Sequence, residues 1–240
     1  MKMNKKIKVQ HLGRVEGHGG IYVEIEGGHI TKVNMDIYEG SRFYEELIVG
    51  KRYDEVAGII CRVCAICSAD HLLASQMATE KAFGLETSQQ TYLLRGLLLH
   101  GSMIESHSLH LYALALPDLL GYNGIISMAT DYPKEVSIAL SLKKLGNTIQ
   151  ELIGGRAVHP INPIIGGFGR VPSKKELLNL KDQLEQEQAV KKSEVLMNYD
   201  LKCYNKKLEI QIKEISRINE SFLDQLVKLR LQLGSIFDQS

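Results

Sequence analysis

The chain has 240 residues and a mass of 26.9 kDa, with 44% hydrophobic and 24% charged residues, values of a globular protein that exclude a disordered one. Lysine and arginine number 29 against 28 acidic residues, so the formal charge is +1 and no electrostatic footprint for a nucleic-acid partner follows. No apolar run approaches the ~20 residues of a membrane span. Met1–Gln10 is basic without an apolar core, so neither a membrane span nor a secretory signal is expected, and the expected compartment is the cytoplasm.

In chain order, the first expected element is a β-hairpin over 20–38. Ile21 to Ile25 alternates, Gly27-Gly28 supplies a turn with positive φ, and Ile30 to Ile37 alternates again. A short helix is expected over 43–50. A second runs from His71 to Phe83, with Gly84 placed to end it. Thr91 to Leu116 reads as a longer helix that stops at Pro117, and Pro133 as the first residue of a helix reaching Gly154-Gly155. The stretch His159-Pro-Ile-Asn-Pro-Ile-Ile-Gly-Gly-Phe-Gly reads as a rigid loop.

Composition then shifts. All eight histidines and all five prolines precede Ser173, and of the 21 glycines only Gly234 follows it. Ser173-Lys-Lys-Glu176 has the pattern of a capping box opening a charged helical tail over 173–240. Leu208, Ile212, Ile215, Asn219, Phe222, Leu226, Leu229 and Leu233 form a seam of period 3.5, which fits a long bundle helix or a two-helix contact with another chain. The expected fold is mainly α with a small N-terminal antiparallel β-sheet (α+β). Residues 1–172 form the main region, and a helical bundle over 71–155 holds a cysteine turn, 61–71, at one end.

That turn carries the chemistry. Of four cysteines, Cys61, Cys64 and Cys67 fall within seven residues, and Cys203 stands apart. Clustering of this kind points to metal or redox chemistry rather than a disulfide framework. Two thiols three apart at the opening of a helix can meet one metal ion, and the helix N-terminus favours their thiolate forms. His71 lies one turn beyond Cys67. A zinc site would need four ligands, and Cys64, Cys67 and His71 give three. An iron–sulfur cluster could start with Cys61, Cys64 and Cys67, but His71 stands where the run needs its fourth cysteine. Three buried core cysteines are the remaining reading.

The surrounding motifs are Gly13-Arg-Val-Glu16-Gly-His-Gly19, Arg42-Phe-Tyr-Glu45-Glu-Leu47, Arg62-Val-Cys64-Ala-Ile-Cys67-Ser-Ala-Asp-His71, Ser106-His107-Ser-Leu-His110, Gly154-Gly-Arg-Ala-Val-His159-Pro160 and Gly166-Gly-Phe168. In order and spacing they resemble the large subunit of [NiFe] hydrogenases, in particular the cytoplasmic cofactor-coupled group (bidirectional or methanogen-type), from about residue 7 to about residue 180.

The resemblance implies a dinuclear nickel–iron centre, the iron carrying carbon monoxide and cyanide, for reversible oxidation of H2. It implies Cys64 as a terminal nickel ligand and Cys67 as the bridge to iron, soft thiolates suiting both metals. His71 would hydrogen-bond the bridging sulfur and tune it. Glu16 would be the carboxylate that relays the proton. Glu45 matches a glutamate that holds magnesium in some members, oxygen ligation suiting that hard cation. For His107 and His110 the resemblance favours packing over metal binding. The implied partners are a small subunit with iron–sulfur clusters, and polypeptide carrying a second Cys-x-x-Cys pair, with H2 as substrate.

Two departures stand out. Ala65 replaces the glycine usual after the first cysteine, and the family's second cysteine pair, in an Asp-Pro-Cys-x-x-Cys segment, is not in this sequence. Inactivity of the chain alone is therefore expected. A truncated, non-catalytic binding or assembly module is the alternative, and an iron–sulfur or zinc binding protein a third.

Overall fold

The computed structural model describes residues 4–13 and 15–197, with side chains through residue 186. Cys203 and the seam from Leu208 to Leu233 lie outside the described residues. The chain divides into two compact units, the first ending at Val49 and the second beginning at Gly50.

The first unit contains an antiparallel sheet of β1 (Lys5–Val9), β2 (Gly19–Glu26) and β3 (His29–Ile37), in that order across the sheet. The expected hairpin is β2–β3, with Val23 opposite Val33, Ile21 opposite Met35 and a register irregularity at Glu24/Ile25. Gly27 and Gly28 have φ of 60° and 86°, the left-handed pair that a two-residue turn requires. Strand β1 was not expected: its lysines made Lys5–Val9 look like a basic tail, whereas Ile7 pairs with Val23 and Val9 with Ile21. Helix α1 (Ser41–Ile48) closes the unit, two residues earlier than expected.

The second unit is helical. It comprises α2 (Tyr53–Ile60), α3 (Ser68–Phe83), α4 (Gln89–Ser108), α5 (Leu116–Leu120), α6 (Ile125–Met128), α7 (Pro133–Gly154) and α8 (Lys174–Met197). The expected end signals operate. Gly84 ends α3 at φ 64°, Pro133 opens α7, and Gly155 ends it at φ 80°. Ser173 and Glu176 form the expected capping box, the Ser173 N–H donating to Glu176 Oε2 at 2.8 Å.

Pro117 does not stop the long helix. Between α4 and α5 the chain widens into a π-helical stretch, Leu109–Ala115, in which the Leu116 N–H reaches the Leu111 carbonyl. Widening moves the carbonyls that the proline ring would strike and absorbs its missing N–H, so the chain continues.

The core forms where α4 lies against α7. Leu94, Leu97, Leu98, Ile104, Ile149 and Ile153 are fully buried there, and Leu177, Leu180 and Leu184 of α8 join the same cluster. The two backbones approach closely at glycines. A Cβ on Gly146 would fall 2.7 Å from both the Glu105 nitrogen and the Gly101 carbonyl oxygen. Beside this crossing, buried Glu105 accepts from Lys143 at 2.5 Å and Gln150 at 2.7 Å.

Candidate metal centre

Helix α2 ends at Cys61 and α3 begins after Cys67, its N-cap, so the seven-residue link between two packed helices is the cysteine turn. Three thiols enter it and meet different surroundings. Cys61 is 1% exposed, and its Sγ donates to the Gly58 carbonyl at 3.3 Å in a small cluster with Ala57 and Leu72. It belongs to the core. Cys64 and Cys67 are half-buried, and none of the three forms a disulfide.

Cys64 and Cys67 are built as a pair. The Cys67 backbone N–H donates to Cys64 Sγ at 3.3 Å, folding the turn so that both sulfurs come to one place. The Cys67 thiol is pushed up to about 12, by burial first and then by the Cys64 sulfur beside it and the charge of Asp70. The expectation from sequence was the opposite, a thiolate favoured by the helix N-terminus; burial and a neighbouring sulfur outweigh that dipole. Two anionic sulfurs cannot gather there unaided, whereas a bound dication would deprotonate both.

The turn is braced from outside. Ser102 on α4 donates to Asp70 Oδ2 at 3.0 Å and to the Ile66 carbonyl at 3.4 Å. The loop after α7 donates from the His159 nitrogen to Ser68 Oγ and from the His159 ring to the Cys61 carbonyl, each at 3.0 Å. That stretch, expected as a loop, contains a short antiparallel strand pair, Pro163–Ile164 with Gly167–Phe168, and is itself fixed. The Gly154 carbonyl accepts from Ile161 and Asn162, and the Asn162 side chain bonds Ile153 and Arg170.

The family model for nickel-dependent hydrogenases matches residues 42–141. The alpha chain of sulfhydrogenase 1 from Pyrococcus furiosus is 42% identical over 180 residues, covering 75% of this chain and 42% of that protein. The alpha chain of sulfhydrogenase 2 from the same organism is 46% identical over 71% of this chain and 42% of its own length. Over about three quarters of its length the chain is thus similar to hydrogenase alpha subunits. A vhu-type F420-non-reducing hydrogenase subunit from Methanocaldococcus jannaschii is 34% identical over 93% of the chain and 51% of that protein. Among solved structures, an NAD+-reducing [NiFe]-hydrogenase superposes with a TM-score of 0.65 at 25% identity, over 77% of this chain and 43% of the other. The chain thus spans about half or less of the length of these hydrogenases.

The other expected residues fall as follows. His71 is half-buried one turn into α3, its N–H donating to the Cys67 carbonyl at 3.2 Å. Glu16 is exposed in the loop before β2, in the first unit. Glu45 is exposed on α1 and accepts from Arg42 at 2.6 Å. His107 lies near the end of α4, where burial, then the charge of His110, lowers its pKa. Among the described residues, no three His, Cys, Asp or Glu side chains gather to hold a metal ion. Neither a zinc site on Cys64, Cys67 and His71 nor a cluster on the three cysteines is preformed there. Sequence reasoning missed the bracing by Ser102 and His159, because both act across long stretches of chain.

Proposed function

We propose that this chain supplies half of the thiolate cradle of a hydrogenase nickel–iron centre. Cys64 would be the terminal nickel ligand and Cys67 the bridge to iron, with carbon monoxide and cyanide completing the iron. The single observation that carries this is the Cys67 N–H to Cys64 Sγ contact, which brings two half-buried sulfurs together at the head of α3. The donor set suits the group: two soft sulfurs brought together are the ligands that nickel and iron prefer, and a bound dication would displace the protons that burial otherwise keeps on Cys67. The other two thiolates come from polypeptide outside this sequence.

When bound, the nickel–iron centre supplies the site at which H2 is split. The chain's own residues hold and serve it. Cys64 and Cys67 give up their protons on binding and fix one face of the centre. His71 orients the bridging sulfur. By the family resemblance Glu16 would relay the released proton and Glu45 would be a magnesium ligand, although its carboxylate is engaged by Arg42 here. Electrons leave through an iron–sulfur small subunit, in the cytoplasm. Elemental analysis of the native complex tests this. About one nickel per chain is expected, lost in Cys64→Ser; nickel at wild-type level in that variant would overturn the ligand assignment.

A further inference from the structure

His159 has a φ of +54° and is the single non-glycine residue with positive φ among the described residues. A side chain with a Cβ takes that conformation only when its surroundings over-determine it, and such residues gather at functional sites. Here the determinants are visible. The backbone N–H donates to Ser68 Oγ and the ring Nδ1 to the Cys61 carbonyl, each at 3.0 Å. A carbonyl only accepts, so the proton sits on Nδ1. Cys61 lies three residues before Cys64, and Ser68 directly follows Cys67. Ser68 is fully buried and Pro160, next to His159, is buried against Gly154, so both sides of the contact are rigid.

We propose that His159 is a positioning residue for the Cys64–Cys67 pair: from a loop more than ninety residues downstream it ties both ends of the turn that carries the two sulfurs. Its functional meaning rests on the reading of that pair as metal ligands; the clamp itself does not. Without the ring bond the α2 end of the turn keeps its apolar packing on α3 but loses its one hydrogen bond to the loop after α7, and the sulfurs spend less time together.

The test measures that proximity in the full metal-free chain, equilibrated with glutathione. In the reaction the two thiols lose two electrons and two protons to glutathione disulfide, which becomes two glutathione thiols. The fraction of Cys64–Cys67 disulfide after acid quench gives the effective concentration of one sulfur at the other. His159→Asn keeps a donor where Nδ1 stood and tolerates positive φ, so it stays close to wild type. His159→Gln, His159→Ala and His159→Gly, the last relieving the backbone but lacking the ring, fall about 10-fold, the equivalent of about 1.4 kcal/mol. Wild-type values in the Gln and Ala variants would overturn the clamp. An equal fall in all four, Asn included, would overturn it as well, by marking general damage to the loop.

Nickel affinity of the assembled complex is the second measurement. His159→Gln is expected to lose about 10-fold and His159→Asn to recover it. Retention of nickel by Cys64→Ser would defeat the metal reading alone, while the glutathione equilibrium would still decide the clamp.

Discussion

Arg95 grips Glu80 with two bonds, Nη1 to Oε2 at 2.7 Å and Nη2 to Oε1 at 2.5 Å, where the side chains are only 7% and 6% exposed. The same carboxylate accepts the Gly166 N–H at 2.7 Å, and the same guanidinium donates to the Ile164 carbonyl at 3.2 Å. The pair joins α3 to α4 and fastens both to the loop that carries His159.

Removing one partner leaves an uncompensated buried charge. Arg95→Ala is expected to cost about 3–5 kcal/mol in chemical denaturation, and the double variant Glu80→Ala/Arg95→Ala less than the sum of the singles. The Arg95 guanidinium, foremost, holds the Glu80 carboxyl below its ordinary value. Its contribution is therefore full above the ordinary carboxylate range and is lost as pH falls through the depressed folded value. A stability profile of Arg95→Ala with the same acid limb as wild type would contradict this.

At the α4–α7 crossing, Gly146→Ala places a methyl group against backbone atoms that cannot rotate away. Overpacking of this kind costs about 1–3 kcal/mol. A thermal melt should show a lower midpoint. Gly28→Ala, which meets open space but has a φ of 86°, should instead perturb only the β2–β3 turn, visible as local amide exchange.

The start of α8 titrates with Glu176, whose carboxyl is lowered to about 2 by the Ser173 N–H, the Ser173 hydroxyl and Arg170. A lowered carboxyl stabilises above its unfolded value and ceases to do so as pH falls toward the folded one. The cap should hold from neutral pH down through 4.5 and open toward pH 2. Carboxyl NMR titration of Ser173→Ala should move the Glu176 midpoint upward; an unchanged midpoint would show that the cap does not form.

Cys67 in the metal-free chain should react slowly with iodoacetamide until strongly alkaline pH, because its thiol is held to about 12. Cys64→Ala removes the neighbouring sulfur but not the burial. It should bring the alkylation midpoint down part of the way, with peptide mass spectrometry reporting Cys67 alone.

Signals confined to one turn of chain were legible in the sequence. Gly27-Gly28, Gly84, Pro133, Gly155 and the Ser173–Glu176 box all mark boundaries through their own φ preferences or side-chain bonds. Strand β1 was hidden because an edge strand keeps its lysines in water and shows only Ile7 and Val9 as pattern. Helix α2 is two turns long, too short for a periodicity. Pro117 misled because its local meaning, a stop, was overridden by the π-helical widening before it. At the candidate site, spacing identified Cys64 and Cys67 but treated Cys61 as their equal. Only the packing of Ala57 and Leu72 around its sulfur separates it, and only tertiary bonds bring Ser102 and His159 to the turn.

The inward turn of Cys61 has a chemical consequence of its own. With its sulfur bonded to Gly58 and sealed from solvent, the folded chain presents two claws where the sequence spells three. Among the described residues no third metal-binding side chain gathers beside Cys64 and Cys67, so a metal ion held by these two sulfurs would complete its shell with water or with donors brought from outside.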